Sequence, residues 1–448
     1  DGIHRSPSSR PACVVLGRSY VAARVPFRFM ILFAHPTGNA NVRHAALALH
    51  RANLLGEFWT CLNYRDRSIL NRLLPRPLIR QLRRRTNPRE LQPYLHTFPF
   101  RELMRLLAPR AGLSDLVRHE TGIFSVDSVY HSLDRHISRR LADPQFEAVY
   151  AYEDGAEHAF RAASRLGRLA FYDLPIGYWR AARSILVEEA ALKPEWAVTL
   201  NGNKDSQSKA DRKDAELALA DVVFVASSFT HRTLESAPSF KAAVVVTPYG
   251  APDIPPVPPG AATRPPGEKL RVLFVGSLGQ RKGLSYLFDA CRQLEGAVEL
   301  TVIGTRPPVD CAALDRELAN VRWIASCPHQ QVLAEMAAHD VFVFPSLFEG
   351  FGLVLLEAMA MGLPIITTPH TAGPDLIEEG REGFIVPIRD ANAIAEKLGL
   401  LHANRTLRDE MSVHARQRAA EFTWDDYGAK LSACIQTALA NRTTSSHA

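Results

Sequence analysis

Short apolar runs recur along this chain, separated by glycine-bearing turns and by longer stretches in which apolar and polar positions alternate with a helical period. Runs at 29–34, 146–152, 169–172, 220–228 and 244–250 read as strands of one sheet. Runs at 270–275, 300–304, 321–325, 341–346, 364–368 and 383–387 read as strands of a second. Apolar runs without alternation mark strands buried on both faces, the habit of parallel sheets covered by helices. Helices are expected over 40–54, from Leu284, over 352–361, from Ala391, and from 422–427 onward. Strand, turn and helix in repetition predict an α/β fold of doubly wound, Rossmann-like domains, in which ligands lie beyond the carboxyl ends of the strands.

The boundaries follow from composition. Residues 1–28 are rich in Ser, Pro and Arg without a period and read as a disordered lead. Residues 29–250 form a first domain, 251–269 a proline-rich linker, 270–422 a second domain, and 423–448 a terminal helix with its tail. At 448 residues the chain is long enough for two full cores. Its six cysteines are scattered with no Cys-x-x-Cys pair, which argues against a disulfide scaffold or a zinc site and fits a reducing cytoplasm. No apolar run approaches the roughly 18 residues needed to span a bilayer.

Charge is uneven. The first 120 residues hold 20 arginines, no lysine and 7 acids, against a net +6 for the whole chain. Arg76, Arg80, Arg83, Arg84, Arg85 and Arg89 crowd one stretch with Leu78, Ile79 and Leu82. That stretch is either a basic amphipathic helix in peripheral contact with an anionic membrane, through Arg76–Arg89, or a solvated charged face. No aromatics interleave with these arginines, so nucleic acid is not expected.

Candidate chemistry concentrates in the second domain. Phe348-Glu349-Gly350-Phe351-Gly352-Leu353-Val354-Leu355-Leu356-Glu357 leads from a buried strand into a helix that is apolar almost all round and stops at Gly362. Glu349 and Glu357 interrupt it, and a buried carboxylate needs a partner. The amides of Gly352, Leu353 and Val354 at the helix start can hold an anion. A glycine-rich turn, Gly276-Ser277-Leu278-Gly279-Gln280-Arg281-Lys282-Gly283, follows the first strand of the same domain. In the first domain, Gly38 and Asn39 after the opening strand offer backbone amides, and His35 lies beside them. Tyr152, Glu153 and Asp173 stand at strand ends, and the loop 173–180 mixes an acid, aromatics and an arginine, a set that suits sugar binding. There is no His-Glu-x-x-His, Gly-x-Ser-x-Gly or Asp-x-Asp motif.

Glu349 and Glu357, with seven residues between them, lie between a strand ending in Pro345-Ser346 and the run Ala358-Met359-Ala360-Met361-Gly362-Leu363-Pro364. This arrangement resembles the acidic motif of the retaining glycosyltransferases of family four, closely over 271–440 and in outline over 29–250. The resemblance implies the GT-B architecture, two Rossmann-like domains facing across a cleft, with the terminal helix crossing back to the first. It implies a nucleotide-sugar donor on the second domain and a glycan, lipid or small-molecule acceptor on the first. It also implies transfer with retained anomeric configuration, and neither metal nor cofactor. Glu357 would hold the ribose and Glu349 would face the donor sugar. Lys282 matches the family's diphosphate-gripping lysine. Ser277 stands where the family has an arginine, and Arg281 is the candidate to supply that charge. Gly276, Ser277, Gly304, Gly350, Phe351, Gly352, Leu353 and Val354 would complete the donor site, with residues 326–328 near the base. Tyr152 stands where the family often has a histidine facing both substrates. The alternatives are an epimerase or glycosyl phosphorylase of the same fold, or a non-catalytic sugar- or membrane-binding relic.

Overall fold

The structure is a computed structural model, described over residues 29–65, 76–200, 205–252 and 268–445. Seven parallel strands form the first sheet: β1 (Met30–Ala34), β2 (Leu55–Thr60), β3 (Leu95–Thr97), β4 (Phe146–Tyr152), β5 (Leu169–Leu174), β6 (Val222–Val225) and β7 (Ala243–Val246). Six parallel strands form the second: β8 (Leu270–Val275), β9 (Val298–Ile303), β10 (Arg322–Ile324), β11 (Val341–Phe344), β12 (Ile365–Thr367) and β13 (Gly383–Ile385). Their orders are β3-β2-β1-β4-β5-β6-β7 and β10-β9-β8-β11-β12-β13. Each order reverses once, between β1 and β4 and between β8 and β11. A crevice opens at the carboxyl ends of the strands where the order reverses. The two crevices hold the loops that carry most of the candidate residues.

The strands buried on both faces formed as their apolar runs predict. Phe33 pairs in register with Phe58 on one side and Tyr150 on the other. Phe274, Phe342 and Phe344 stack at about 6 Å in the second sheet. Strand β2 was not among the expected elements. Gly56 and Glu57 interrupt its apolar run, and Glu57 is satisfied by Arg140 at 2.6 Å. The helix expected over 40–54 ends at Arg51, because Asn53 turns into the left-handed region (φ 57°) to start β2. The run at 220–228 yields only a four-residue strand. Ser227 caps the next helix, its hydroxyl accepting from the Thr230 amide at 3.1 Å.

The terminal helix, Trp424–Ser445, does cross back to the first domain. It lies against the helix Ala40–Arg51, where Gly428 and Ala48 let the two backbones approach. Leu431, Ile435 and Leu439 are buried there, and His44 stacks on Trp424 at 3.9 Å. The two places where the chain passes between domains adjoin, for the Ala251 amide donates to the Phe422 carbonyl at 2.8 Å. The disordered lead, most of the proline-rich linker (253–267) and the last three residues lie outside the described residues.

Candidate functional site

The second-domain crevice is built by close backbone contact. Gly276 donates to the Ile303 carbonyl at 2.9 Å. A side chain on Gly304 would overlap the Gly276 carbonyl, so both glycines serve the crossing of two strand ends. The loop then makes one tight turn, Gln280–Lys282, ending on Gly283 at φ +69°. Any side chain there would overlap the Pro345 carbonyl, so the turn lies directly on the loop that leaves β11. The Arg281 carbonyl accepts from the Leu347 amide at 2.8 Å, which fixes the two loops in register.

This packing brings Arg281 and Lys282 onto Glu349. Arg281 Nη1 donates to Glu349 Oε1 at 3.1 Å and to the Phe348 carbonyl at 2.6 Å. Lys282 Nζ is in contact with Glu349 Oε2 and stands 4.6 Å over the Phe344 ring. Glu349 and Lys282 are both buried. Burial pushes the Arg281 guanidinium down to about 10. Burial, with the Arg281 charge added, pushes Lys282 well below the usual lysine range, and the Glu349 carboxylate lies against its ammonium. Two desolvated cations share one anion, so an arriving anion would relieve the crowding. Ser277 is exposed on the same loop.

Glu349 leads into the helix Leu353–Ala360, which starts from Gly352 at φ +82°. The amides of Leu353 and Val354 point out of its first turn, where helix geometry provides no acceptor. Leu353, Val354 and Glu357 are half-buried, unlike the rest of the helix. Glu357 is therefore not the buried acid that the apolar pattern implies. Its side chain keeps 22% exposure because this face of the helix borders the crevice. Burial still raises the Glu357 carboxyl above its ordinary value, and His329, 3.8 Å away, opposes that. Phe351 is buried against Tyr249 of the first domain, ring centroids 5.2 Å apart.

Gly350 belongs to the interface between domains. Its carbonyl accepts from Ser227 and, at 2.8 Å, from Thr230. A Cβ at Gly350 would overlap the Pro175 carbonyl, and one at Gly177 would overlap the Phe348 ring. The acidic loop is thus wedged against the ends of β5 and β6.

The first-domain candidates divide. His35 is buried, with its pKa lowered to about 3 by burial and then by Arg43. Its Nδ1 accepts from the amides of Gly38 at 2.8 Å and Thr37 at 3.2 Å. Asn39 caps the first helix by accepting from Val42 N at 3.0 Å. The Gly38 amide and the Asn39 side chain are therefore already engaged within the turn. Tyr152 and Asp173 are each 3% exposed and lie in a buried cluster of phenols. Asp173 accepts from the Tyr150 hydroxyl at 2.7 Å, and burial raises its carboxyl to about 7 against the pull of Tyr150 and Tyr152. Glu153 lines the cavity between the domains. Its carboxylate lies 3.4 Å from Lys213 Nζ, and burial lifts it to about 7.

Between the domains lies a cavity of about 190 Å³. Glu153, Trp179, Arg183 and Lys213 line it from the first domain, and Arg281 and Phe348 from the second. Trp179 is held by its Nε1 on Asp214 at 2.7 Å, and Arg183 lies 4.6 Å over its ring. Tyr178, its neighbour, is fully buried, so the aromatic loop both closes the core and lines the cleft. Sequence reading did not single out Arg183 or Lys213, which look like solvated positions of charged helices. Nor did it single out Glu189, whose fully buried carboxylate meets Gln280, Tyr286 and Arg389 of the second domain.

The arginine-rich stretch forms a helix, Arg76–Arg83, but Leu78 and Ile79 turn inward and are buried. Arg85 pairs with the buried Glu102, while Arg84 and Arg89 stay exposed. The apolar face foreseen for a membrane is thus spent on the protein's own core. Among the described residues no helix is long and apolar enough to cross a membrane.

Residues 261–418 match the family model described as glycosyl transferases group 1. The amylovoran biosynthesis glycosyltransferase AmsK of Erwinia amylovora is 34% identical over 141 residues, 29% of this chain and 35% of that protein. The D-inositol 3-phosphate glycosyltransferase of Corynebacterium urealyticum is 30% identical over 172 residues, 35% of this chain and 41% of that one. The chain spans less than half the length of either relative. Among solved structures, sucrose-phosphate synthase from Thermosynechococcus elongatus superimposes with a TM-score of 0.62 at 18% identity, over 92% of this chain and all of that one. HepE of Anabaena, solved with UDP and glucose, gives 0.58 at 16% identity, over 91% and all of the two chains. Residues 261–418 thus carry the glycosyl transferases group 1 segment, set within a two-domain α/β frame of the GT-B type.

Proposed function

We propose that this protein is a glycosyltransferase that moves a sugar from a nucleotide-sugar donor to a glycan, lipid or small-molecule acceptor with retention of configuration and without a metal. The observation that carries this reading is the trio of Arg281, Lys282 and Glu349 at the foot of the cleft, beside the start of the Leu353–Ala360 helix. A leaving diphosphate gains negative charge as the glycosidic bond breaks, and fixed, desolvated cations lower that barrier. The diphosphate would take Lys282 and Arg281 together with the amides of Leu353 and Val354. Glu357, one turn further on, would accept from the ribose hydroxyls. Glu349, released from Lys282, would orient the sugar ring. Glu153 and Lys213 on the opposite wall would meet the acceptor. HepE holds UDP and glucose on the same fold, which supports a nucleotide-sugar donor. Contact with an anionic surface through the Arg76–Arg89 stretch would rest on its exposed arginines alone.

The test is a panel of UDP, GDP, ADP and dTDP sugars offered to the purified chain in excess chelator, with product anomers read by NMR. The expected result is chelator-resistant transfer from one ribonucleotide sugar, with the donor's anomeric configuration kept. Inverted product, or activity restored only by magnesium, would overturn the corresponding part of the proposal.

A further inference from the structure

The cavity between the domains holds one charge that no carboxylate answers. Three cations line it, Arg183, Lys213 and Arg281, and two of them are paired. Arg281 donates to Glu349 and to the Phe348 carbonyl. Lys213 lies 3.4 Å from Glu153, 3.7 Å from Asp154 and 3.6 Å from Asp205, so the two acids of the lining, Glu153 and Asp205, face a cation already. Arg183 differs. It is half-buried, and the only acceptor it meets among the described residues is the Asp205 backbone carbonyl, at 3.3 Å. Its place is nevertheless fixed. It lies one turn after Trp179 on the helix Trp179–Leu192, and its guanidinium stands 4.6 Å over the indole ring. Asp214 anchors the indole Nε1 at 2.7 Å and also pairs with Arg180, which stands over the same ring. The ring thus serves as a platform for cations. Ile176, Leu186 and Phe348 line the same cavity, and apolar walls strengthen a charge by lowering the local dielectric.

We propose that Arg183 holds an anionic group of the acceptor, a sugar carboxylate or a sugar phosphate, in this cavity. The planar guanidinium matches either group with two parallel N–H bonds. Arg281 both lines the cavity and bonds Glu349, so an acceptor anchored on Arg183 reaches the donor seat within the same space. A neutral sugar would leave the donors of a half-buried guanidinium without a charged acceptor, and the site therefore selects for charge. This assignment rests on the transferase reading only in making the bound molecule the acceptor. The anion site itself is a property of Arg183 and its surroundings.

Calorimetric titration of the full chain with glucuronate, glucose 6-phosphate and glucose tests it without any donor. At least one of the two anions should bind about tenfold or more tightly than glucose, the worth of one charge-assisted hydrogen bond. Which of the two binds better tells a carboxylate site from a phosphate site. Arg183→Gln, checked for an unchanged melting curve, should erase the preference. Arg183→Lys keeps the charge but not the fork and should retain only part of it. If the variants fail to fold, the wild type still decides: the anionic sugar, and not glucose, should shield Arg183 from phenylglyoxal, as read by peptide mass spectrometry. Equal binding of glucose and both anions, no binding of either anion in the millimolar range, a full preference in folded Arg183→Gln, or no shielding would each overturn the proposal. Failure to transfer from any nucleotide sugar would leave these readouts standing and count against the transferase reading alone.

Discussion

Replacing Glu189 by alanine should loosen the junction between the two domains, and the structure sets the size of the effect. Glu189 lies on the helix Trp179–Leu192 with no exposed surface. Its carboxylate accepts from Arg389 Nε at 2.7 Å, Gln280 Nε2 at 2.7 Å and the Tyr286 hydroxyl at 3.0 Å, all from the second domain. Removing one side of a buried ion pair costs about 3–5 kcal/mol. Arg389 is not left wholly stranded. It keeps Glu188 at 2.8 Å and the Ile185 carbonyl at 2.9 Å, and Gln280 keeps the Ser285 hydroxyl. These residual partners bring the expected cost to about 2–4 kcal/mol, less than the full pair value. At about 2–4 °C per kcal/mol, the unfolding midpoint should drop by roughly 5–12 °C. Glu189→Gln keeps the shape and one acceptor and should cost about half as much. A double-mutant cycle with Gln280→Ala should give a coupling of about 0.5–3 kcal/mol, because the two share a buried hydrogen bond. Scanning calorimetry on the four proteins measures all of this. A Glu189→Ala protein within about 0.5 kcal/mol of its parent, with zero coupling, would mean that the interface is not formed in solution.

Further outcomes follow from the cleft and its surroundings. Glu357→Ala should weaken binding of the preferred nucleoside diphosphate by about 10- to 100-fold, the worth of one charged hydrogen bond to a ribose, as read by calorimetric titration. Unchanged affinity would remove Glu357 from the site. Asp173 has its carboxyl at about 7 in the folded chain against an ordinary 3.8, so the folded state holds a proton that the unfolded state has lost. That contribution is complete below the ordinary value and disappears as pH rises through about 7. Asp173→Asn should therefore flatten the fall in stability between about pH 4 and pH 7, and denaturant titrations with parallel slopes for both proteins would contradict this. Gly350→Ala puts a methyl group into the Pro175 carbonyl and should cost about 1–3 kcal/mol while widening the cleft. Small-angle scattering identical to the parent's, with an unchanged midpoint, would speak against so close an approach.

Legibility from sequence followed burial. Strands β4 and β8 were readable to their end residues, because each is an almost wholly apolar run, broken only by Glu147 or Arg271 near its start. The glycine-rich turn and the acidic loop were readable as separate loops on separate strands. What the chain order could not display is their meeting, since Lys282 and Glu349 are 67 residues apart and are brought together by the close contact of Gly283 with Pro345 and the bond from the Leu347 amide to the Arg281 carbonyl. Tyr152 and Asp173 were placed at strand ends correctly, yet their side chains turn into the core. Which face a strand-end residue takes depends on what packs above it, and here that is Tyr249 and Tyr427. Lys213 and Glu189 sit in helices whose charged composition resembles any solvated surface. Glu189 is met by Gln280, Tyr286 and Arg389 of the opposite domain, and Lys213 by Asp205 and by Glu153 and Asp154 brought up from a distant loop, neighbours that local pattern cannot reveal.

The hydrogen bond between Ala251 and Phe422 has a mechanical consequence. The end of the first domain at Ala251 and the return of the chain at Phe422 are pinned to each other, so the described ends of the two connections share a fixed point there. A body held at a single pivot can swing, but it cannot slide along the cleft. Gly250 lies against the Trp424 backbone at this pivot, and the chain there is too crowded to act as a slack cord. Opening must then be angular and largest at the far rim. There it would part Ser227 and Thr230 from the Gly350 carbonyl, and Ser228 from Asp375. Glu349 is the residue next to Gly350, so any swing that parted these contacts would also pull on the partner of Lys282.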